Sequence, residues 1–259
     1  MNLKLIACKV LCRELSYLTA QSPNFIDASY LRQGLHNTPE KLRDILQREI
    51  DCIDAGTDYH TAAFEDGRDF DAILLGYGLC SRGICGIRSK KYPIVVPRAH
   101  DCATLFLGSK EWYRDYFDAN GGVYWFTPGW IENAVMPSEE NLRRMRRIYA
   151  EEYGEENADF LIETTYGWQQ RYSTCAYAEW NALANEQHKA FALKSSRAFG
   201  WKFDKLEGDS SLLEDFLAGR WDEERFLYVP PNHTIEASYQ DNILRTVGQN
   251  KSDRKEQPV

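Results

Sequence analysis

The sequence lacks any apolar run long enough to cross a membrane. A membrane-spanning helix needs about 20 consecutive apolar residues, and the opening residues MNLKLIACKVLCREL place cysteine and arginine inside their apolar stretch. A cleaved signal peptide needs an uninterrupted apolar core. The sequence therefore predicts a cytoplasmic protein without a membrane partner.

An excess of positive charge is also missing. The formal net charge of -8 at pH 7 and the sequence pI near 5.3 argue against a general nucleic-acid surface. The densest basic group lies between Arg143 and Arg147 and follows Glu139 and Glu140 at helical spacing. This spacing favours a solvated, ion-paired helix face over a phosphate-binding patch. No nucleic-acid partner is expected.

Two common site signatures are absent as well. Seven cysteines are too few and too scattered for a disulfide scaffold in a chain of this length, and no CxxC pair marks a structural zinc site. The glycine-rich stretch GYGLCSRG is not a GxGxxG motif and contains no P-loop lysine. Any metal site must therefore combine ligands from separate segments, and nucleotide binding is weakly supported.

Reactive residues are concentrated after short apolar runs. Leu3 to Ala7, Ala72 to Leu75 and Pro93 to Val96 fit strands buried on both faces of a parallel sheet. The segment after each run contains glycine, cysteine or histidine. Ligands bind outside the carboxyl ends of the strands in open α/β sheets, so these loops are expected to share one functional edge.

The order of strands and helices predicts an α/β fold. Two similar βαβ-type halves with mainly parallel sheets are expected, with a cleft between them as a ligand site. Residues 1–154 form the predicted N-terminal half with the Cys/His loops, 155–247 the C-terminal half and 248–259 a disordered tail. Residues 21–40 are interpreted as largely turn-forming, residues 104–117 as one helix, and His60 as a surface residue.

Three thiols follow the three predicted strands of the N-terminal half. Cys8, Cys80 and Cys102, with His100, are donors that zinc or an iron-sulfur cluster selects, and they form the predicted metal ligands. Zinc with an open coordination position could activate a thiol or water. The alternative is that these cysteines are small buried hydrophobic residues.

Cys102 is predicted to favour the thiolate and to be alkylated faster than Cys175. It stands immediately before a helix-like segment, where backbone N–H groups and the helix dipole favour a thiolate. Cys175 lies inside an apolar run and is expected to remain a protonated thiol.

Further candidates flank these thiols. Asp101, Tyr77 and Arg98 are the predicted catalytic residues; Arg98 could clamp a carboxylate or phosphate, or pair with Asp101. His100 could instead simply hydrogen-bond a loop carbonyl.

Four more residues are predicted to bind substrate. Gly76 and Gly78 would let the backbone approach a ligand closely. His36 and His233 lie in turn-like segments and are candidates for substrate contact.

Several strings of the sequence resemble a known family. They are IACKVLCREL, QSPNFIDASYLRQGLHNTPE, LLGYGLCSRGICGI, PRAHDCATLFLGSKE, YWFTPGWIE, EEYGEENA, GDSSLLEDFLAG and FLYVPPNH. Over nearly the whole chain, they are similar to the bacterial and archaeal family called domain of unknown function 1638. The residues that match its motifs are Cys8, Gly76, Tyr77, Gly78, Cys80, Arg98, His100, Asp101 and Cys102.

The resemblance also implies a metabolic context. Members are found in anaerobes and methanogens, often beside corrinoid-dependent methyltransferase systems, which implies one-carbon chemistry with a corrinoid protein as partner. The chain departs from the family at Lys9, where relatives tend to have an acidic residue. It also carries Cys12 and Cys85 as extra cysteines, whose part in the site is left open.

Three function classes remain open from the sequence. The first is a metal-thiolate enzyme that transfers a methyl or alkyl group between a small molecule and a corrinoid or thiol partner. The second is a metal-free lyase or racemase that uses Cys80 or Cys102 as nucleophile. The third is an accessory protein of a corrinoid system that binds without turnover.

Overall fold

The computed structural model describes residues 1–57, 69–239 and 242–248. His60 lies outside the described residues, as does the predicted tail from residue 249 onward. The chain folds as an α/β protein with parallel sheets, which confirms the predicted fold class.

The described residues contain ten strands and nine α-helices. The strands are β1 (Asn2–Cys8), β2 (Phe25–Leu31), β3 (Ala72–Gly76), β4 (Ile94–Pro97), β5 (Val123–Phe126), β6 (Thr174–Glu179), β7 (Lys202–Glu207), β8 (Phe226–Val229), β9 (His233–Ala237) and β10 (Leu244–Gly248). The helices are α1 (Cys12–Gln21), α2 (Pro39–Ala55), α3 (Cys102–Leu107), α4 (Lys110–Asn120), α5 (Pro128–Asn133), α6 (Glu139–Tyr153), α7 (Glu155–Tyr166), α8 (Glu186–Phe199) and α9 (Ser211–Ala218).

The chain divides into two units, but not at residue 154. One unit comprises Met1–Gly108 and the segment from Ser210 onward, and the other comprises Ser109–Asp209. The difference arises because β8 pairs with β4 instead of joining the sheet of the second unit. The local sequence pattern predicts that β8 is a strand. It does not predict which distant strand β8 pairs with.

The first unit is built on a five-stranded sheet in the order β2-β1-β3-β4-β8. Its first four strands are parallel and β8 is antiparallel. Every residue of β3 and β4 is buried, as expected for continuous apolar strands inside a parallel sheet. Since β1, β3 and β4 are neighbours, the loops after them leave the sheet at one edge.

Two elements differ from the sequence interpretation. Residues 21–40 contain β2, an edge strand whose residues are mostly half-buried, so it lacks the continuous apolar pattern of a central strand. The predicted helix over residues 104–117 is two helices. Gly108 ends α3 with a φ of 79°, and the Ser109 side chain caps α4 by accepting a hydrogen bond from Trp112 N–H.

The second unit has its own sheet and core. Its three strands are parallel in the order β5-β6-β7. Phe126, Tyr177 and Trp201 pack in a largely aromatic core beside this sheet. Helix α8 connects β6 to β7.

Within the part of the chain that the structure describes, no helix combines the length and apolar character that crossing a membrane requires.

Candidate thiol site

Three cysteines meet at the carboxyl edge of the first sheet. Cys8 is the last residue of β1, Cys80 lies in the turn after β3, and Cys102 is the first residue of α3 after β4. The Cys102 thiol is in hydrogen-bonding contact with the thiols of both Cys8 and Cys80. Cys102 is therefore the central member of the group, which we call the thiol trio. All three are free cysteines.

Backbone hydrogen bonds join the two loops that carry Cys80 and Cys102. Leu79 N–H donates to the Ala99 carbonyl over 2.8 Å, and Cys80 N–H donates to the His100 carbonyl over 3.1 Å. These bonds fix the chain of one loop against the chain of the other. The contact between Cys80 and Cys102 is therefore held by the backbone of both loops.

The glycines at the end of β3 serve packing between chain segments. A Cβ atom on Gly78 would lie 2.7 Å from the backbone nitrogen of Asp101, and one on Gly76 would lie 2.6 Å from the Ala7 Cβ. Both distances are too short for a side chain. Gly76 and Gly78 therefore allow neighbouring segments to approach closely, and their contact with a substrate stays a prediction.

Cys80 is the first of three consecutive residues with left-handed backbone. Cys80, Ser81 and Arg82 have φ angles of 46°, 56° and 67°. Such a conformation costs on the order of 1–3 kcal/mol for each non-glycine residue and persists only where the surroundings impose it. The turn therefore holds Cys80 in the trio at an energetic cost. The sequence gives no sign of it, because none of the three residues favours positive φ strongly.

The hydrogen bonds of the trio separate the acidities of its members. The Cys102 thiol lowers the pKa of Cys8; burial opposes this effect, and the backbone N–H groups of Val10 and Lys9 reinforce it. Contacts with Cys8 and Cys80, together with burial, raise the pKa of Cys102 well above its ordinary value. Of the two bonded thiols, Cys8 is therefore the more acidic and Cys102 the donor.

This result corrects the expectation that Cys102 favours the thiolate. The expectation rested on its position at the start of α3, but that helix has only six residues. Its dipole is weak beside two contacting thiols in a buried setting. Cys175 behaves as expected, because burial raises its pKa to about 12.

Tyr77 places a buried hydroxyl group beside the trio. The residue is 3% exposed, and its hydroxyl oxygen has no hydrogen-bond partner. Burial raises the pKa of Tyr77 well above its ordinary value, and the neighbouring Cys8, Cys102 and Cys80 raise it further. A buried polar group without a partner is rare in folded proteins and is a common feature of ligand sites. The phenol remains protonated and can donate a hydrogen bond.

The two histidines nearest this edge differ in their environment. The short helical turn Leu35–Asn37 follows β2 and lies against the Cys80–Arg82 turn, which brings His36 to the edge of the sheet. Burial lowers the pKa of His36, so its imidazole is neutral near pH 7. His100 is exposed, and its backbone carbonyl holds Cys80 as described above.

Asp101 has a structural task that its predicted catalytic role did not anticipate. Its Oδ1 accepts hydrogen bonds from Thr104 N–H at 3.0 Å and from Thr104 Oγ1 at 3.2 Å, and it caps α3. A capping carboxylate at this position is common because the first N–H groups of a helix lack partners within the helix.

Arg98 binds carbonyl groups of the returning C-terminal segment. Its Nε donates to the carbonyls of Glu223 at 2.9 Å and Phe226 at 3.2 Å. Its Nη1 donates to the carbonyls of Asn242 and Leu244. Through these contacts Arg98 fastens the C-terminal segment to the end of β4, and its catalytic role stays a prediction.

His233 lies elsewhere in the first unit. It begins β9 shortly after β8, whose last residue Val229 pairs with Ile94 at the start of β4. Its Nδ1 lies 3.1 Å from the Pro231 carbonyl oxygen. The thiols lie at the carboxyl ends of the strands, so the predicted substrate contact of His233 does not belong to the same site.

The structure does not present a ready-made metal centre. Across residues 1–57, 69–239 and 242–248, no group of three or more His, Cys, Asp or Glu side chains is arranged to hold a metal ion. The thiols of Cys8 and Cys80 are each hydrogen-bonded to the Cys102 thiol. Binding of a metal would require loss of those protons, because thiolates are the ligands.

Sequence reasoning missed a polar cluster at the carboxyl edge of the second sheet. Glu179 ends β6 and is 1% exposed. Tyr177 Oη donates to its Oε2 over 2.7 Å, and Lys205 Nζ forms an ion pair with its Oε1 at 2.8 Å. A glutamate directly after the apolar run TCAYA was the available signal, because a charged residue at a strand end often belongs to the carboxyl edge of a sheet.

The fold and the site together define a parallel α/β protein with a buried cluster of thiols at its sheet edge. The chain belongs to the family described as "Protein of unknown function (DUF1638)", whose family model matches residues 30–217. This confirms the family resemblance. The matched region includes Cys80 and Cys102, while Cys8 precedes it. Neither the curated proteins nor the solved structures contain a match to the chain.

Proposed function

We propose that the chain is an enzyme that acts on a small molecule with an electrophilic carbon and uses Cys8 as its nucleophile. The observation that carries the proposal is the hydrogen bond from the Cys102 thiol, which lowers the pKa of Cys8. A thiolate is the nucleophilic form of cysteine, and donors beside the sulfur increase its population near neutral pH.

The residues around Cys8 supply complementary roles. The Cys8 sulfur forms a bond to the electrophilic carbon while the leaving group departs with the electron pair of the broken bond. Tyr77 is a protonated donor with no partner, and it can stabilise the negative charge that develops on the leaving group. Cys102 holds the thiolate before attack. His36 is neutral and can accept a proton at this edge.

Methyl or alkyl transfer is one reaction of this class. The family resemblance implies a corrinoid protein or a thiol as partner, and a methyl group on such a carrier is an electrophilic carbon. The resemblance alone supports this choice of substrate and partner. The thiol site supports the broader class, in which a small molecule becomes covalently attached to Cys8.

Adduct mapping tests the proposal. The reduced protein is exposed to separate small alkyl, carbonyl and activated-alkene electrophiles, and modified peptides are identified by mass spectrometry. We expect the first adduct on Cys8, at least tenfold slower modification in Cys102→Ala, which removes the donor, and no effect of the control Cys175→Ala. Faster modification of Cys12 or Cys85, with Cys8 unmodified, would contradict the proposal.

A metal-thiolate site is the second candidate, favoured by the mutual contact of three thiols. If protons leave and the sulfurs separate slightly, Cys8, Cys80 and Cys102 could bind zinc or an iron-sulfur cluster, the ions that thiolates select. Elemental analysis of protein purified without oxygen tests this. The metal site is supported if the wild type contains about one zinc, or several irons with acid-labile sulfide, and if this metal is absent from Cys102→Ser but present in Cys175→Ser. Metal-free wild-type protein would rule it out.

A further inference from the structure

The contacts of Cys102 with both of its neighbours have a consequence that is independent of the proposed reaction. Cys102 touches the thiols of Cys8 and Cys80, and backbone hydrogen bonds join the loop that carries Cys80 to the loop that carries Cys102. Sulfur atoms held in contact need little chain movement to become covalently linked. The other four cysteines, Cys12, Cys52, Cys85 and Cys175, have no such contact with Cys102 among the interactions of the described residues.

We propose that the thiol trio is a reversible oxidation site in which Cys102 forms a disulfide with either Cys8 or Cys80. The oxidant class is a peroxide. The sulfurs of the trio are enclosed: Cys8 is 5% and Cys80 9% exposed, and burial contributes to the raised pKa of Cys102. A peroxide is small enough to reach enclosed sulfurs, whereas the thiol of another protein is not.

The chemistry balances with hydrogen peroxide as the co-reactant. A Cys8 sulfur attacks one peroxide oxygen, the O–O bond breaks, and the other oxygen leaves as water, which gives Cys8 sulfenic acid. The Cys102 sulfur then attacks the Cys8 sulfur, the S–O bond breaks, and a second water leaves. One peroxide is reduced to two waters while two thiols are oxidised to one disulfide.

Cys80 extends this reaction by exchange. Its sulfur, as thiolate, can attack the Cys102 sulfur of the first disulfide, which forms a Cys80–Cys102 bond and releases Cys8 as a thiol. No further oxidant is needed, because exchange conserves the number of disulfides. The arrangement predicts two alternative disulfides that share Cys102.

Trypsin separates all seven cysteines onto different peptides, which makes the test direct. Cys8 lies on residues 5–9 and Cys12 on 10–13, Cys80 on 69–82 and Cys85 on 83–88, and Cys102 on 99–110. Cys52 and Cys175 lie on residues 49–68 and 172–189. Neighbouring cysteines are thus distinguished without further fragmentation.

The protein is treated with a small excess of hydrogen peroxide, remaining thiols are blocked, and the digest is analysed without reduction. We expect peptide 99–110 linked to 5–9 and to 69–82, with both links removed by dithiothreitol. Cys80→Ser should retain only the link to 5–9. Cys8→Ser and Cys102→Ser should show neither link, because the Cys80–Cys102 bond forms by exchange from the Cys8–Cys102 bond. The control Cys175→Ser should match the wild type.

Other outcomes overturn the inference. These are links that omit peptide 99–110, links between two protein molecules as the main product, or sulfinic and sulfonic acids without any intramolecular disulfide. The wild-type map decides the question by itself, so a variant that fails to fold does not leave it open.

Discussion

The two parallel sheets of this protein each end in a buried ionisable group, and the two groups differ in their partners. Glu179 at the end of β6 is bonded to Tyr177 and Lys205 and accepts from Asn185 N–H at 3.4 Å. Burial alone would raise its pKa, but these three partners hold the pKa of Glu179 below its ordinary value. The charge is thus compensated within the second unit.

The ionisable groups at the edge of the first sheet are not paired with opposite charges in this way. Its thiols have mainly one another as partners, and the Tyr77 hydroxyl beside them has none. Native proteins satisfy most buried polar groups, so an unsatisfied one indicates either a cost or a missing ligand. The Glu179 cluster therefore stabilises the second unit, whereas the thiol trio and Tyr77 are the groups that could react with a ligand.

The two thiols Cys8 and Cys175 provide the largest expected contrast. Both are nearly inaccessible, with 5% and 0% exposure, but the pKa of Cys175 is about 12 and that of Cys8 lies below the ordinary value of 9.0. At pH 7 the thiolate populations then differ by at least about a thousandfold, because each pKa unit is a factor of ten. Iodoacetamide labelling of peptides 5–9 and 172–189 measures this contrast. Equal labelling rates would remove it.

Substitution of Gly78, which lies against the backbone of Ala99 and Asp101, is expected to have the next largest effect. Gly78→Ala places a Cβ against two backbone atoms of Asp101 and the Ala99 carbonyl, so it should lower the free energy of unfolding by about 3 kcal/mol. Gly167→Ala is the control, since Gly167 has helical backbone and no atom within 4 Å of the added Cβ. Urea denaturation compares them. A cost of Gly78→Ala no larger than that of the control would show that the loops separate easily.

Removal of one hydroxyl from each edge sharpens the comparison further. Tyr177→Phe removes a hydrogen bond to a buried carboxylate and should cost about 2 kcal/mol of unfolding free energy. Tyr77→Phe removes a hydroxyl without a partner, so stability should be unchanged or rise by up to about 1 kcal/mol, while adduct formation on Cys8 slows. Equal losses of stability would mean that the Tyr77 hydroxyl has a structural partner after all.

The smallest effect concerns the pH dependence of stability. The folded pKa of Glu179 is below its unfolded value near 4.5, so the unfolded chain binds the proton more readily. The resulting stabilisation is complete above the unfolded pKa and is lost as pH falls through the folded pKa. Between about pH 5 and pH 3 the wild type should therefore lose more stability than Glu179→Gln. Urea denaturation at several pH values measures this difference. If the midpoints of the two proteins fall equally as pH is lowered, the acid sensitivity comes from other carboxylates.

Much of the first unit was predictable from local patterns. Continuous apolar runs identified β1, β3 and β4, and the position of cysteines after strands brought Cys8, Cys80 and Cys102 to one edge. The half-buried edge strand β2 was missed because its apolar signal is diluted by solvent-facing residues. The Glu179 cluster was missed because its partners Tyr177 and Lys205 come from two strands.

The α/β class, the family and the strand-end position of the three thiols could be predicted from the sequence, because they depend on short-range periodicity and residue type. The pairing of β8 with β4, the capping role of Asp101 and the contacts of Arg98 with distant carbonyls required the folded structure. The same holds for the lowered pKa of Cys8, which depends on its contact with Cys102. Each of these depends on which distant groups become neighbours. Hydrogen bonding and burial act over a few ångströms, so they set a pKa or a role only after the chain has folded.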